Sequence, residues 1–344
     1  MATSELDIEQ RDQLIAYLRT ARHIDADETP VTTVLAGGVS NRTVFVRRTR
    51  GEAWVLKQAL AKLRVNVDWF SDPARVHREA LGMRWLKRLA PNGTITDLVF
   101  EDRDHHLLAM AAVPEPHENW RTMLLDGRLD VEHVEQFARL LAAVHRESHA
   151  QRDELAAVFE DRGFFESLRL EPYYAYSAEQ APEAAAFLRA LIDDTRRHRL
   201  TLVHGDYSPK NILVHDGRLV LLDHEVIHFG DPAFDLGFST THLLSKAHHL
   251  PELRKGFAEA AKRYWAGYRE ALGDVPWTDD FEPRAVRQTL GCLLARVVGR
   301  SQLEYMSDEE KARQREAVIG LVGDPPMTMT GLADRLVEWI DSRR

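Results

Sequence analysis

Residues 202–237 of this 344-residue chain read LVHGDYSPKNILVHDGRLVLLDHEVIHFGDPAFDLG, and three of the side chains are typed and spaced for one chemistry. Asp206 stands five positions before Asn211, and Asp223 closes an apolar run twelve positions later. Transfer of a phosphoryl group to a hydroxyl needs a carboxylate to take the proton and metal ions to neutralise charge on the bridging oxygens. Asp206 is the candidate base. Asn211 and Asp223 offer hard oxygens, the ligands magnesium prefers. The elements that must position them are legible too. Ile212–Val214 and Leu219–Leu222 are short apolar strands around His215-Asp216-Gly217-Arg218, and Asp-Gly is a preferred two-residue hairpin turn. Such a hairpin returns both candidate ligands to one edge.

The run His204-Gly205-Asp206-Tyr207-Ser208-Pro209-Lys210-Asn211-Ile212-Leu213-Val214 resembles the catalytic loop of the aminoglycoside phosphotransferase and choline kinase superfamily, small-molecule relatives of protein kinases. The resemblance implies Asp206 as catalytic base, Asn211 and Asp223 as magnesium ligands, Ser208 among the nucleotide-contacting residues, and Asp235 as a brace for the loop. Asp223-His224-Glu225, followed by Gly230 and Phe234-Asp235-Leu236-Gly237, is similar to the Asp-x-Glu arrangement of methylthioribose kinases, which would make Glu225 a further metal-site carboxylate. The catalytic loop itself keeps the Pro-x-Asn of aminoglycoside kinases.

A different motif overlaps this stretch. His224-Glu225-Val226-Ile227-His228 is H-E-x-x-H, which binds zinc when a helix puts both histidines on one face. A preceding strand, two β-branched residues and the stop at Gly230-Asp231-Pro232 argue against a helix. A zinc hydrolase is therefore the remote alternative.

Composition frames these readings. With 45 Lys plus Arg against 54 Asp plus Glu the net charge is −9, which disfavours a nucleic-acid partner. Apolar content of 44% and charged content of 29% suit a globular protein large enough for two lobes. The single Cys292 cannot form an internal disulfide, as fits a reducing cytosol. Nothing at the N-terminus looks like a signal peptide and no apolar run is long enough to span a bilayer. The expectation is a soluble, cytoplasmic protein with no membrane partner.

Upstream, Ser4 can cap a helix from Glu5 to about Arg22, with Leu6, Leu14, Ile15 and Leu18 as its apolar stripe. Val31–Leu35 and Thr43–Arg48 read as strands around Gly37-Gly38-Val39-Ser40-Asn41, whose glycines let backbone amides approach a phosphate. An ordinary hairpin turn is the plainer reading of that loop. Ala53–Gln58 is a strand that sets Lys57 among apolar residues, where it needs an anion. By resemblance Lys57 holds the nucleotide phosphates, and Gln58-Ala59 is again similar to methylthioribose kinases. Asp72 and Pro73 mark a helix running to about Ala90. On it Glu79 shares a side with Val76 and Met83; by resemblance Glu79 orients Lys57. Ile95–Phe100 and His106–Ala112, split by a turn at 101–104, complete five antiparallel strands and lead to Val113-Pro114-Glu115-Pro116. By resemblance this is the hinge, where backbone groups of Ala111 and Val113 meet the adenine.

Beyond the hinge the pattern is helical. Asp130 caps a helix to about His149, another runs from about Pro182 to Arg199, and five more follow near 236–248, 251–272, 281–300, 307–320 and 330–342. Phe164, Phe165, Tyr173, Tyr174 and Tyr176 either line an acceptor pocket or simply pack. Arg296, on the otherwise apolar run Cys292–Gly299, calls for a carboxylate or a ligand; the run resembles the methylthioribose-kinase helix that offers arginine to the sugar. Residues 236–344 balance 16 cationic against 16 anionic side chains, which tilts the acceptor away from polycationic aminoglycosides.

These readings combine into an α+β, bilobal, protein-kinase-like fold: an antiparallel-sheet nucleotide lobe over 1–112 and a mainly helical catalytic and substrate lobe over 113–344. The expected function is ATP- and magnesium-dependent phosphorylation of a hydroxyl on a small molecule, a sugar such as methylthioribose ahead of an aminoglycoside or choline-type acceptor. Only eleven residues separate Asp223 from Asp235, too few for the activation segment of a protein kinase.

Overall fold

A computed structural model of the chain describes residues 6–36, 40–64 and 70–342. It divides into two compact units, Met1–Arg88 with Ile95–Glu115, and Leu89–Thr94 with Pro116–Arg344. The seam at Glu115/Pro116 lies three residues past the expected boundary, and a short excursion, Leu89–Thr94, belongs to the second unit because the Thr94 carbonyl accepts the Leu221 amide.

The first unit is a five-stranded antiparallel sheet with two helices. In chain order it comprises α1 (Arg11–Thr20), β1 (Val31–Val34), β2 (Asn41–Arg47), β3 (Ala53–Ala59), α2 (Arg75–Leu89), β4 (Leu98–Asp102) and β5 (Leu107–Ala111), with strand order β1-β2-β3-β5-β4. The β2–β3 register pairs Thr43 with Lys57 and Val44 with Leu56, so Val44, Val46 and Leu56 turn inward onto Leu14, Leu18 and Ile24. Burial of each such side chain contributes roughly 1.5–3 kcal/mol.

Three of the boundaries in this unit that differ from the sequence expectation have a visible cause. Helix α1 starts at Arg11; Ser4 and Glu5, the expected cap and first residue, lie outside the described residues. Residues 6–10 leave the helix because Asp7 accepts the Glu9 amide and Gln58 grips the Leu6 carbonyl and the Ile8 amide; such local and tertiary bonds compete with the helical ladder. Asp72 and Pro73 form the turn ahead of α2, where the Asp72 carboxylate accepts the Ala74 amide at 2.8 Å. Glu101 and Asp102 remain in β4, so the β4–β5 turn falls at 103–106.

The second unit is mainly helical. After β6 (His117–Asn119) come α3 (Trp120–Leu125), α4 (Val131–Ala150), α5 (Arg152–Val158) and α6 (Gly163–Phe165), which passes into a π-helix over Glu166–Ala175, then α7 (Tyr176–Gln180) and α8 (Ala185–Arg197). The strands β7 (Thr201–Val203), β8 (Ile212–His215), β9 (Arg218–Leu221) and β10 (His228–Gly230) carry the motif, and α9 (Pro232–His249), α10 (Arg254–Leu272), α11 (Phe281–Val298), α12 (Asp308–Val322) and α13 (Met329–Asp341) complete the unit. As expected, Asp130 caps α4 by accepting the Glu132 amide. Helix α9 is buried at every position from Pro232 to His248. It lies so close to α11 that a Cβ on Gly237 would stand 2.4 Å from the Gln288 Cβ. No helix among the described residues is long and apolar enough to cross a membrane.

Candidate active site

The loop between β7 and β8 is fixed from below before it presents any chemistry. Asp235, fully buried at the start of α9, accepts the His204 amide at 2.7 Å on one oxygen and the Gly205 amide at 2.8 Å on the other, with His145 alongside at 3.2 Å. Burial favours the neutral acid, but these donors hold the Asp235 carboxyl below its usual range. Tyr207 stacks on Phe137 and donates its hydroxyl to the Phe137 carbonyl. Gly205 has φ 76°, and a Cβ there would meet Val226 Cγ2 at 3.0 Å and the Val226 carbonyl at 3.1 Å, so glycine is required.

On this base Asp206 is buried but for one edge. Asn211 Nδ2 donates to the Asp206 carbonyl at 3.0 Å and to Oδ2 at 2.7 Å, while Arg169 Nη2 lies 3.0 Å from Oδ1. A carboxylate has about four lone-pair sites, so both oxygens can still accept a substrate proton. Engaging the amide nitrogen leaves the Asn211 oxygen as the group that can meet a cation. The hairpin turns at Asp216-Gly217 with φ 48° and 71°, and Asp223 follows β9 at φ 66°, a left-handed conformation uncommon outside glycine and often found at functional sites.

Histidines link the two segments. The Asp206 amide donates to His204 Nδ1 at 3.2 Å, and burial pushes the His204 pKa down. The ring is therefore neutral with its proton on Nε2, which donates to His224 Nδ1 at 3.1 Å. His228 instead faces the Val226 carbonyl and stacks on Phe165. Glu225 and Val226 form a turn and His228 a strand, so the H-E-x-x-H motif lacks the helix that zinc binding requires. The zinc-hydrolase alternative is overturned on this geometry.

The donor set fits magnesium rather than a metal held by protein alone. Among the described residues no three His, Cys, Asp or Glu side chains converge as a metal cluster. Magnesium, however, takes one or two carboxylates and draws its other oxygens from phosphates and water. Asn211, Asp223 and Glu225 are the residues that would supply such hard oxygens.

In the first unit, Lys57 Nζ lies 2.6 Å from Glu79 Oε1, and Glu79 is fully buried beside Val76 and Met83. Of the glycine loop, Gly37 and Gly38 lie outside the described residues. Ser40 and Asn41 follow it; Asn41 Nδ2 donates to Ser40 Oγ, and Asn41 Oδ1 is buried with no hydrogen-bond partner among the described residues. Fully buried Arg75 secures this end of the loop, donating to the Ser40, Leu60, Ser71 and Asp72 carbonyls. The Ala111 amide donates to the Asp97 carbonyl and the Ala112 amide to the Ala53 carbonyl, which reduces what Ala111 could offer an adenine to its own carbonyl. Val113 and Ser208 are both buried.

A sequence profile of the phosphotransferase enzyme family, APH, matches residues 31–271, seven-tenths of the chain and the whole of the site just described. The chain belongs to this family. This phosphotransferase is 26% identical over 298 residues to a methylthioribose kinase of Pectobacterium atrosepticum, covering 77% of this chain and 71% of that one. Its fold is similar to that of a macrolide 2'-phosphotransferase from Brachybacterium faecium, with TM-score 0.53, 22% identity, and coverage of 92% and 99%. It is likewise similar to an amicoumacin kinase in complex with AMP-PNP and Ca2+, with TM-score 0.52, 14% identity, and coverage of 93% and 96%. The bilobal kinase-like fold class and the small-molecule kinase activity read from the sequence both stand.

Two buried cations escaped the sequence reading. Arg169, on the π-helix, faces Asp206 and lies 5.8 Å from the ring centroids of Tyr173 and Phe238. Burial opposes its charge, but Asp206 above all holds its pKa up. Lys246 is buried in α9. Arginine or lysine inside an apolar segment is the available signal, and it marks Lys57 and Arg296 in the sequence but was not read at these two. Arg296 is nearly buried and ion-pairs with no carboxylate among the described residues: Nη1 donates to the Tyr173 hydroxyl and to the carbonyl and Oγ of Ser301. Of the aromatic cluster, Phe165 and Tyr174 pack in the core, and Tyr173 faces the arginines. A separate cleft of about 300 Å³ near Pro91–Thr94 and Arg218 is lined by none of these residues.

Proposed function

We propose that this phosphotransferase moves the γ-phosphoryl group of ATP to a hydroxyl of a small sugar or sugar derivative, methylthioribose or a close relative. The observation that carries the reading is Asp206, held at the open edge of a braced loop between Asn211 and Arg169. Asp206 accepts the proton of the acceptor hydroxyl as the new phosphoester bond forms. Arg169 and Asn211 keep its carboxylate in one orientation, which lowers the cost of reaching the reactive geometry. Asn211, Asp223 and Glu225 are the residues that would hold magnesium, which supplies charge neutralisation at the transferring phosphate. In the first unit, Lys57, oriented by Glu79, with Ser40 and Asn41, would bind the nucleotide phosphates, and Ala111 and Val113 the base. The similarity to methylthioribose kinase supports a sugar acceptor, as does a buried Arg296 beside Tyr173.

An acceptor screen reading ADP release tests this. Turnover is expected with methylthioribose or related pentoses. Turnover with kanamycin-type aminoglycosides or choline alone would contradict the sugar assignment.

A further inference from the structure

A helix buried on all sides ordinarily carries no charge on its inner positions. Helix α9 breaks that rule at Lys246, which is 0% exposed. The ammonium has three protons to donate, and one goes to the His242 carbonyl at 3.2 Å. Its nitrogen lies 5.4 Å from the Tyr305 ring centroid. The carboxylate whose charge reaches it, Glu304, is ion-paired with Arg121.

Other unsatisfied donors surround it. Arg296 comes in from α11 with Nε unpartnered among the described residues, and the Tyr305 hydroxyl is unpartnered in the same sense. Arg121 comes in from α3, its guanidinium 5.9 Å from the Tyr305 ring. His242, one turn before Lys246, is held neutral by burial and by Arg296, Lys246 and Arg121. Burial, then Arg121 and Arg296, push Lys246 down to about 7. Three cations from three elements thus face one carboxylate. Buried unpaired charge is costly, and a bound anion would remove that cost.

The cluster connects to the candidate site. The Tyr173 ring lies 5.8 Å from the Arg169 guanidinium and 5.7 Å from that of Arg296, and Arg169 touches Asp206. Phe238, also against Arg169, is eight residues before Lys246, about 12 Å along the helix axis.

We propose that Lys246, with Arg296 and the Tyr305 hydroxyl, binds an anionic group of the acceptor, a carboxylate or a phosphate, and so presents the acceptor hydroxyl to Asp206. The assignment rests on the phosphotransfer reading of Asp206 and moves the preferred acceptor from neutral methylthioribose to an anionic relative, a sugar acid or a sugar phosphate.

Calorimetry on the full chain with ribitol, D-ribonate and D-ribose 5-phosphate tests it. At least one anionic probe is expected to bind ten-fold or more tighter than ribitol, and which one does distinguishes carboxylate from phosphate. Lys246→Met should abolish the preference. Tyr305→Phe, which removes only a hydroxyl, should reduce it about three- to ten-fold. Equal binding of all three probes, or a preference that survives Lys246→Met, overturns the proposal. Asp206→Asn separates it from the phosphotransfer reading, since that variant should bind the anionic probe like the parent. Lys246-dependent binding without ATP-dependent phosphorylation of any sugar would retain the anion site and remove the sugar-acceptor reading. Phosphorylation of an anionic sugar derivative by Lys246→Met with an unchanged KM would do the reverse.

Discussion

Asp206 and Arg296 illustrate two ways a charge is kept inside a protein. Asp206 is matched by a cation at 3.0 Å and an amide at 2.7 Å. Arg296 is matched only by neutral oxygens from Tyr173 and Ser301, so it retains attraction for a ligand. Arg296→Ala should accordingly raise KM for the acceptor by about 10- to 100-fold, the value of a hydrogen bond to a charged group, with less change in KM for ATP. Equal effects on both constants would make Arg296 a general structural residue. Glu225 is the carboxylate whose role rests on the Asp-x-Glu resemblance. Glu225→Gln should raise the magnesium concentration for half-maximal rate by about ten-fold, because a neutral amide binds a hard cation less well. An unchanged magnesium titration would return Glu225 to a structural role.

At the scale of elements, the catalytic hairpin was legible because everything that defines it is local. Asp206, Asn211 and Asp223 lie within eighteen residues, and the Asp216-Gly217 turn takes the positive φ values its residue types announce. The start of α1 was not legible, since the Gln58 side chain that holds Leu6 and Ile8 off the helix comes from β3, far along the chain. The π-helix over Glu166–Ala175 was hidden for a related reason. Pro172 removes a backbone donor inside it, and the segment is held by tertiary contacts such as Arg169 on the Gly205 carbonyl. Arg169 and Lys246 escaped notice because their partners are brought together only by folding. Helix contact also limits α9. Gly237→Ala would drive a methyl into the Gln288 Cβ at 2.4 Å and the Thr289 amide nitrogen at 2.8 Å. It should destabilise by about 1–3 kcal/mol, lowering Tm by several degrees; an unchanged Tm would mean that α9 and α11 can separate without cost.

For the whole molecule, Lys246 makes stability depend on pH in an unusual direction. Its folded pKa is lowered from 10.5 to about 7, with burial the first cause. Between those values the unfolded chain binds a proton that the folded chain has shed, so stability rises with pH across that window. Below about pH 7 the lysine is charged in both states and its burial penalty is complete. Lys246→Met should therefore raise Tm most at pH 6 and least near pH 10, which thermal melts at the two pH values would read. A gain in Tm that grows with pH would show that the ammonium is already neutralised in the folded protein.

The central claim is that Asp206 accepts the proton in phosphoryl transfer to a sugar hydroxyl. It is tested most directly by comparing wild type and Asp206→Asn in a single turnover of ATP with methylthioribose, with nucleotide affinity measured alongside. The substitution removes a proton acceptor and no phosphate contact. Transfer should fall by about 100-fold or more, since general-base catalysis contributes roughly 10²–10⁴, while the affinity for magnesium-ATP stays within about two-fold. Transfer by Asp206→Asn at close to the wild-type rate would contradict the account.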